Sequence, residues 1–405
     1  MNKNYNLLKT SLISDIYRKL LLNGRTYASF TDQELDEIFN QNDISDLVLD
    51  PMSGYGGLMQ YCRKNGVNTY NIEVNIPSYL WQILTNPNYS NDFIKTIDLI
   101  LSKLKFLPKA QSHFSVSENW FSPDGIDLID SLHTFIYKNQ YSKVISEKRK
   151  TLFSLALLLP FLARFSNCVM GDVTHIKEGG FCVFKEWEND FKSYLTVLLT
   201  RLYNNKTNGT SHTNRLDDIT NLKFKVGSKF STFVTSPPYP NYRSYDKMFA
   251  PENDYLKQNK YFKINSGTMI GSNAISGRKV ESVNSHQAKK FLKALYEFDA
   301  PPKTLSQIKG YYIPYFQLYF SDIEKAYESI ATLLKKNCIG YLIVVNNTTR
   351  NFIVPVAEMT IELWKQMGFN TKILSSTEQF HFGTKNPNSK GLKAKHMKYT
   401  IKVWK

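Results

Sequence analysis

The chain has 405 residues, with 51 Lys and Arg against 35 Asp and Glu for a formal net charge of +16. A hydrophobic fraction of 42% supplies a real core, and a charged fraction of 21% is too low for a disordered tail. The length suits about two to three structural units, and the charge points to nucleic acid, an anionic membrane or an acidic protein as partner, with a surface of solvated lysines as the plainer alternative.

In chain order, the first segment to about Asn40 reads as largely helical, with Leu7, Leu8, Ile13, Ile16, Tyr17, Leu20 and Leu21 near helical spacing. A short apolar strand, 46–50, stops in Pro51-Met-Ser-Gly-Tyr-Gly-Gly57. A helix over 58–64 and a second strand over 68–74 follow. This succession of strand, glycine turn, helix and strand opens a Rossmann-like α/β unit. The segments 92–106, 126–141, 148–165 and 187–202 carry Leu and Ile at helical spacing and read as a helical insertion. A strand over 230–235 then runs into Ser236-Pro-Pro-Tyr239. From Pro240 to about Pro302 the chain is polar, aromatic and basic. Helices are expected over 320–336 and 355–367, and strands over 339–345, 371–375 and 399–404.

Other features narrow the class. Cys62, Cys168, Cys182 and Cys338 lie far apart with no CxxC, as in a reduced cytosolic protein rather than a disulfide scaffold. The seven histidines have no metal-ligand spacing, so no metal site is expected. The N-terminus has no apolar h-region. The apolar stretch 152–165 is broken by Ser154, Pro160 and Arg164, and reads as a buried helix rather than a membrane span. A cytoplasmic protein with no membrane role is the expectation.

Two motifs carry chemistry. Glycines after the first strand let the backbone approach a ligand closely, and the amides of the next helix suit a negative group. Glu73, ending the second strand, is placed to accept hydrogen bonds from ribose hydroxyls. In Thr235-Ser-Pro-Pro-Tyr239, two prolines cannot extend a central strand, so it ends with a rigid shape. Pro237 and Pro238 offer carbonyl acceptors, Ser236 a hydroxyl and Tyr239 a flat face. Together they suit a planar molecule held by an exocyclic amine.

DPMSGYGG and TSPPY, with NIEVN between them, resemble the S-adenosylmethionine-dependent amino-methyltransferases of DNA, and the resemblance covers most of the chain. It implies a Rossmann-like methyltransferase fold, a mostly parallel seven-stranded sheet plus the helical insertion. The chain then divides into 1–84, with the cofactor loop; 85–215, the insertion and a possible DNA-recognition region; and 216–405, the rest of the catalytic domain, with a rival basic target-recognition region at about 240–302. For S-adenosyl-L-methionine the resemblance implies contacts from Phe30, Asp50, Pro51, Met52, Ser53, Gly54, Gly56, Glu73, Asp218 and Ser236, with Asp217 as the neighbour that could replace Asp218. Catalysis falls to Ser236, Pro237, Pro238 and Tyr239.

The SPPY form is most often associated with cytosine-N4 methylation. The cofactor motif precedes the catalytic one, the reverse of many SPPY enzymes, which keeps adenine-N6 open. Met52, Tyr55 and Gly57 depart from the family's Phe, small residue and Thr. An RNA amino-methyltransferase and a degenerate nucleic-acid-binding subunit stand as alternatives. The implied partners are double-stranded DNA, contacted by Arg243, Lys247, Arg278 and Lys279, and a cognate restriction endonuclease in a restriction-modification or defence system.

Overall fold

A computed structural model describes residues 30–41, 43–104, 120–141, 146–166, 168–169, 172–176, 187–204, 209–223, 230–240, 249–258, 262, 269–272, 275–349, 352–381 and 394–405. Seven strands form one sheet: β1 (Leu47–Asp50), β2 (Asn68–Glu73), β3 (His212–Leu216), β4 (Phe230–Thr235), β5 (Leu334–Asn346), β6 (Asn370–His381) and β7 (Ala394–Trp404). Their spatial order is β3-β2-β1-β4-β5-β7-β6. β1 pairs in parallel with β2 and β4, and β4 with β5, whereas β7 runs antiparallel to β5 and β6. The sheet is therefore α/β and mostly parallel, and its first five strands follow the 3-2-1-4-5 order of doubly wound sheets. The chain reverses its direction of growth between β1 and β4, which makes that pair the topological switch point.

The flanking helices of this unit are α1 (Asp32–Phe39), α2 (Gly57–Lys64), α3 (His286–Tyr296), α4 (Ile313–Leu333) and α5 (Val356–Gln366). α1 starts in a capping box: Thr31 Oγ1 accepts from Glu34 N, and Glu34 Oε2 accepts from Thr31 N. Phe233 of β4 stacks on Trp364 of α5, with ring centroids 5.2 Å apart. A Cβ at Gly340 of β5 would lie 1.9 Å from the Phe233 ring, so the aromatic core requires glycine there. Asp322 and Glu324 of α4 hold the chain before α3: Arg278 Nη2 donates to both Asp322 carboxylate oxygens, and Glu324 accepts from Asn284 N and Ser285 N. Glu362 of α5 accepts from Ser285 Oγ, His286 N and Gln287 N at the start of α3.

The chain divides into two units. The sheet unit draws on 29–74, 215–245 and 266–405. The helical unit includes 75–214 and 246–265. Its segment after the second strand begins at 75 rather than the expected 85, and Ile76–Thr85 is an almost wholly buried helix of its own. The unit also takes 246–265, including helix Ala250–Gln258, from the stretch expected to be target-recognition loop. Within it, Phe93 stacks on Phe153 at 4.4 Å, and Tyr194 Oη donates to the Leu157 carbonyl. His133, paired with Tyr255 at 2.9 Å, is buried, and that burial pushes its pKa down to about 4. The apolar stretch 152–165 lies in the helix Glu147–Phe165, with 153–159 and Leu162 buried, and among the described residues no helix is long and apolar enough to cross a membrane.

Two expectations were too short or displaced. α4 starts at Ile313 rather than 320 and follows directly on the helix Pro302–Gln307 and the π-type turn Ile308–Tyr312, so Pro314 sits inside a continuous helical run next to that turn. The closing strands extend to His381 and back to Ala394 as one long hairpin. Its charged residues are matched from the α1 side: Lys398 pairs with Glu34, and Lys402 with Asp43 at 2.5 Å.

Candidate active site

Asp50 ends β1 at the switch point and is only 1% exposed. Its Oδ1 accepts from Thr235 Oγ1 at the end of β4 (3.2 Å) and from Met52 N (3.4 Å). Its Oδ2 is buried with no hydrogen-bond partner among the described residues. Burial raises its pKa to about 7, against the lowering effect of Thr235 and Met52. A carboxylate with one unsatisfied oxygen, at the carboxyl edge of a parallel sheet, suits a ligand that brings a donor or a cation.

The turn after it is tied back to β2. Ser53 N and Oγ both donate to the Ile72 carbonyl (3.1 and 3.0 Å), and Gly56 N closes the turn onto Ser53 O at 2.8 Å. Gly54 and Gly56 have φ of 50° and 76°, the left-handed region that a side chain disfavours, and Gly56 is the N-cap of α2. Pro51 is buried, and half-buried Met52 packs on the main core. Glu73 ends β2, 8% exposed, and its carbonyl accepts from Asp217 N. Asp218 lies beside it, but its Oδ1 accepts from Thr220 N and Oγ1, so it also shapes the turn after β3. Phe30 packs against the cluster containing Leu35, Ile38 and Val48.

At the end of β4, Ser236 Oγ donates to the Ile343 carbonyl of β5 (3.2 Å) and lies 2.8 Å from Tyr239 Oη. A carbonyl only accepts, so the single hydroxyl proton of Ser236 goes to Ile343 and Tyr239 is the donor to Ser236. One lone pair of Ser236 Oγ is left over. The Tyr239 ring is 5% exposed. The flat face expected for stacking is thus folded under its own motif, held by its hydroxyl. Tyr319 Oη of α4 donates to the Pro238 carbonyl (3.1 Å), and Asn347 Nδ2 to the Pro240 carbonyl (2.6 Å).

The geometry brings Asp50, Thr235, Ser236 and the glycine turn to the carboxyl ends of β1 and β4. Thr235, Tyr319, Asn347 and the Ile343 carbonyl were not singled out from sequence. Thr235 opens the TSPPY motif without a role read for it, and Asn347 follows a legible strand, so position relative to strand ends was the available signal. Of the four basic residues, Arg243 and Lys247 lie outside the described residues. Arg278 is committed to Asp322, whose carboxyl is held above the usual range by burial while Arg278 pulls it down. Lys279 is exposed. Among the described residues no group of His, Cys, Asp and Glu is arranged to hold a metal ion. No family model matches the chain, and comparison with curated proteins finds no match.

Proposed function

We propose that the protein is an S-adenosylmethionine-dependent amino-methyltransferase that acts on the exocyclic amine of a base flipped out of double-stranded DNA, with cytosine-N4 the favoured target and adenine-N6 the runner-up. The observation that carries the reading is the Thr235–Asp50 hydrogen bond across the switch point, which joins the two sequence motifs at the carboxyl ends of adjacent parallel strands. The residues fit the cofactor: a buried Asp50 oxygen lacks a donor, two left-handed glycines line the turn, and buried Glu73 ends the next strand.

When bound, the cofactor supplies an electrophilic sulfonium methyl. The chain's own residues do the rest. Asp50, the glycine turn and Glu73 bind and orient it. The Pro237 carbonyl and the spare lone pair of Ser236 Oγ accept from the target amine, favouring the geometry in which its lone pair is available. Tyr239 fixes the Ser236 hydroxyl through its own proton. Positioning and electrostatics supply the rate, and no covalent intermediate is required. The amine lies inside a duplex, so the base must leave the stack. The +16 charge favours a polyanionic substrate, and a cognate restriction endonuclease would follow from a restriction-modification role.

Incubating plasmid DNA, and separately total RNA, with labelled cofactor tests the reading, with mass spectrometry of the nucleosides identifying the base. We expect label on a DNA amine. Label on RNA alone overturns the substrate, and no cofactor binding by isothermal titration favours a degenerate nucleic-acid-binding subunit.

A further inference from the structure

Two consecutive asparagines stand at the carboxyl end of β5, beside the strand that carries Ser236. Asn346 has both ends of its amide engaged at the start of α5: its Nδ2 donates to Glu358 Oε2 and its Oδ1 accepts from Ala357 N, both at 2.8 Å. Asn347 is different. Its backbone is locked by Val354 N, which donates to its carbonyl at 2.7 Å across the small hairpin that follows. Its Nδ2 donates to the Pro240 carbonyl, a group that only accepts, so the amide orientation is fixed and Oδ1 faces away from Pro240. That oxygen is buried, in a residue 4% exposed, with no hydrogen-bond partner among the described residues.

A buried acceptor without a donor is costly, and such groups persist where something completes them. The surroundings say what. Tyr319 occupies the Pro238 carbonyl and Asn347 Nδ2 the Pro240 carbonyl, so the loop's hydrogen bonds are sorted before any ligand arrives. The carboxyl edge of β4 and β5 is the ligand side of a parallel sheet.

We propose that Asn347 is a substrate-binding residue, its Oδ1 accepting a hydrogen bond from an N–H of the nucleobase held at Pro237. Tyr319 is its companion, a positioning residue for the loop. The inference rests on the methyltransferase reading above. Asn347→Leu keeps the volume and removes the acceptor. We expect turnover on DNA (kcat/KM) to fall about 30-fold or more, while cofactor affinity stays within about twofold and the melting temperature changes little, because losing the orphan Oδ1 offsets leaving the Pro240 carbonyl without its donor. Tyr319→Phe, which removes only a carbonyl clamp, should cost far less.

Should Asn347→Leu fail to fold, Asn347→Asp decides. Protonated, its carboxyl can donate to Pro240 and accept from the base; ionised, it repels Pro240. Its turnover relative to wild type should therefore rise as pH falls. A role confined to clamping predicts that Asn347→Leu loses stability with activity and that Tyr319→Phe loses as much; that result, wild-type turnover in Asn347→Leu, or a flat pH ratio for Asn347→Asp overturns the proposal alone. A wild type that methylates no nucleic acid sinks the underlying reading, and this inference with it.

Discussion

Asp50→Asn isolates a buried carboxyl at the end of β1. The substitution keeps the shape and removes the charge. In the folded protein the Asp50 pKa is raised from 3.8 to about 7 by burial. Between those values the folded state holds a proton that the unfolded chain has released. The native state binds more protons there, so stability is fully present below pH 4 and is lost as pH rises towards 7, with little further change above it. A shift of about three pH units at about 1.4 kcal/mol each amounts to about 4 kcal/mol.

Other titrating groups cancel when variant and wild type are compared at the same pH. Urea melts at pH 4 and pH 8 should therefore show Asp50→Asn gaining about 4 kcal/mol on wild type between the two. A difference that does not move with pH refutes the argument, and with it the idea that Asp50 is held protonated by burial. A cationic or donor-bearing ligand should expel that proton. Titration of S-adenosylmethionine at pH 6, in buffers of different ionisation enthalpy, should register proton release for wild type and none for Asp50→Asn.

Further outcomes follow from the same geometry. Ser236→Ala and Tyr239→Phe should lower turnover by about tenfold or more with cofactor affinity nearly unchanged; equal losses of both in a titration would mean the motif is misassigned. Arg278→Ala should destabilise by about 3 kcal/mol in thermal melts, since it leaves the buried Asp322 without its cation. Lys279→Glu should leave the melt unchanged and weaken DNA binding, with a shallower salt dependence in a filter-binding series. Ser285→Ala should cost about 1 kcal/mol, because Ser285 Oγ caps α3 at Ala288 N and also donates to Glu362.

What the sequence made legible was local. Phe230–Thr235 reads as a strand because an apolar run meets two prolines that end it. The glycine turn reads as a ligand turn because its residues are contiguous. Asn347 and Tyr319 were illegible as site residues, since their partners lie 107 and 81 positions away and only the fold joins them. The outer half of the β6–β7 hairpin was illegible for another reason. Lys398 and Lys402 look like solvated charge until Glu34 and Asp43, at the far end of the chain, are placed beside them. The burial of Tyr239 depends likewise on a hydroxyl partner that spacing alone does not reveal.

The discontinuous make-up of the two units governs the order in which they can be completed during synthesis. β1 and β2 emerge early, yet β4, the other neighbour of β1, follows some hundred and eighty residues later, and β5 a hundred after that. The helical unit, by contrast, has all its segments once residue 265 is made. When that unit has all its segments, β1 to β4 have been made and β5 has not, so the nascent chain carries a four-stranded fragment whose β4 edge is open. Excising 75–214 would cut into β3 and strand 246–265 without its unit, so a deletion meant to isolate the sheet must keep His212–Leu216 whole and remove 246–265 as well.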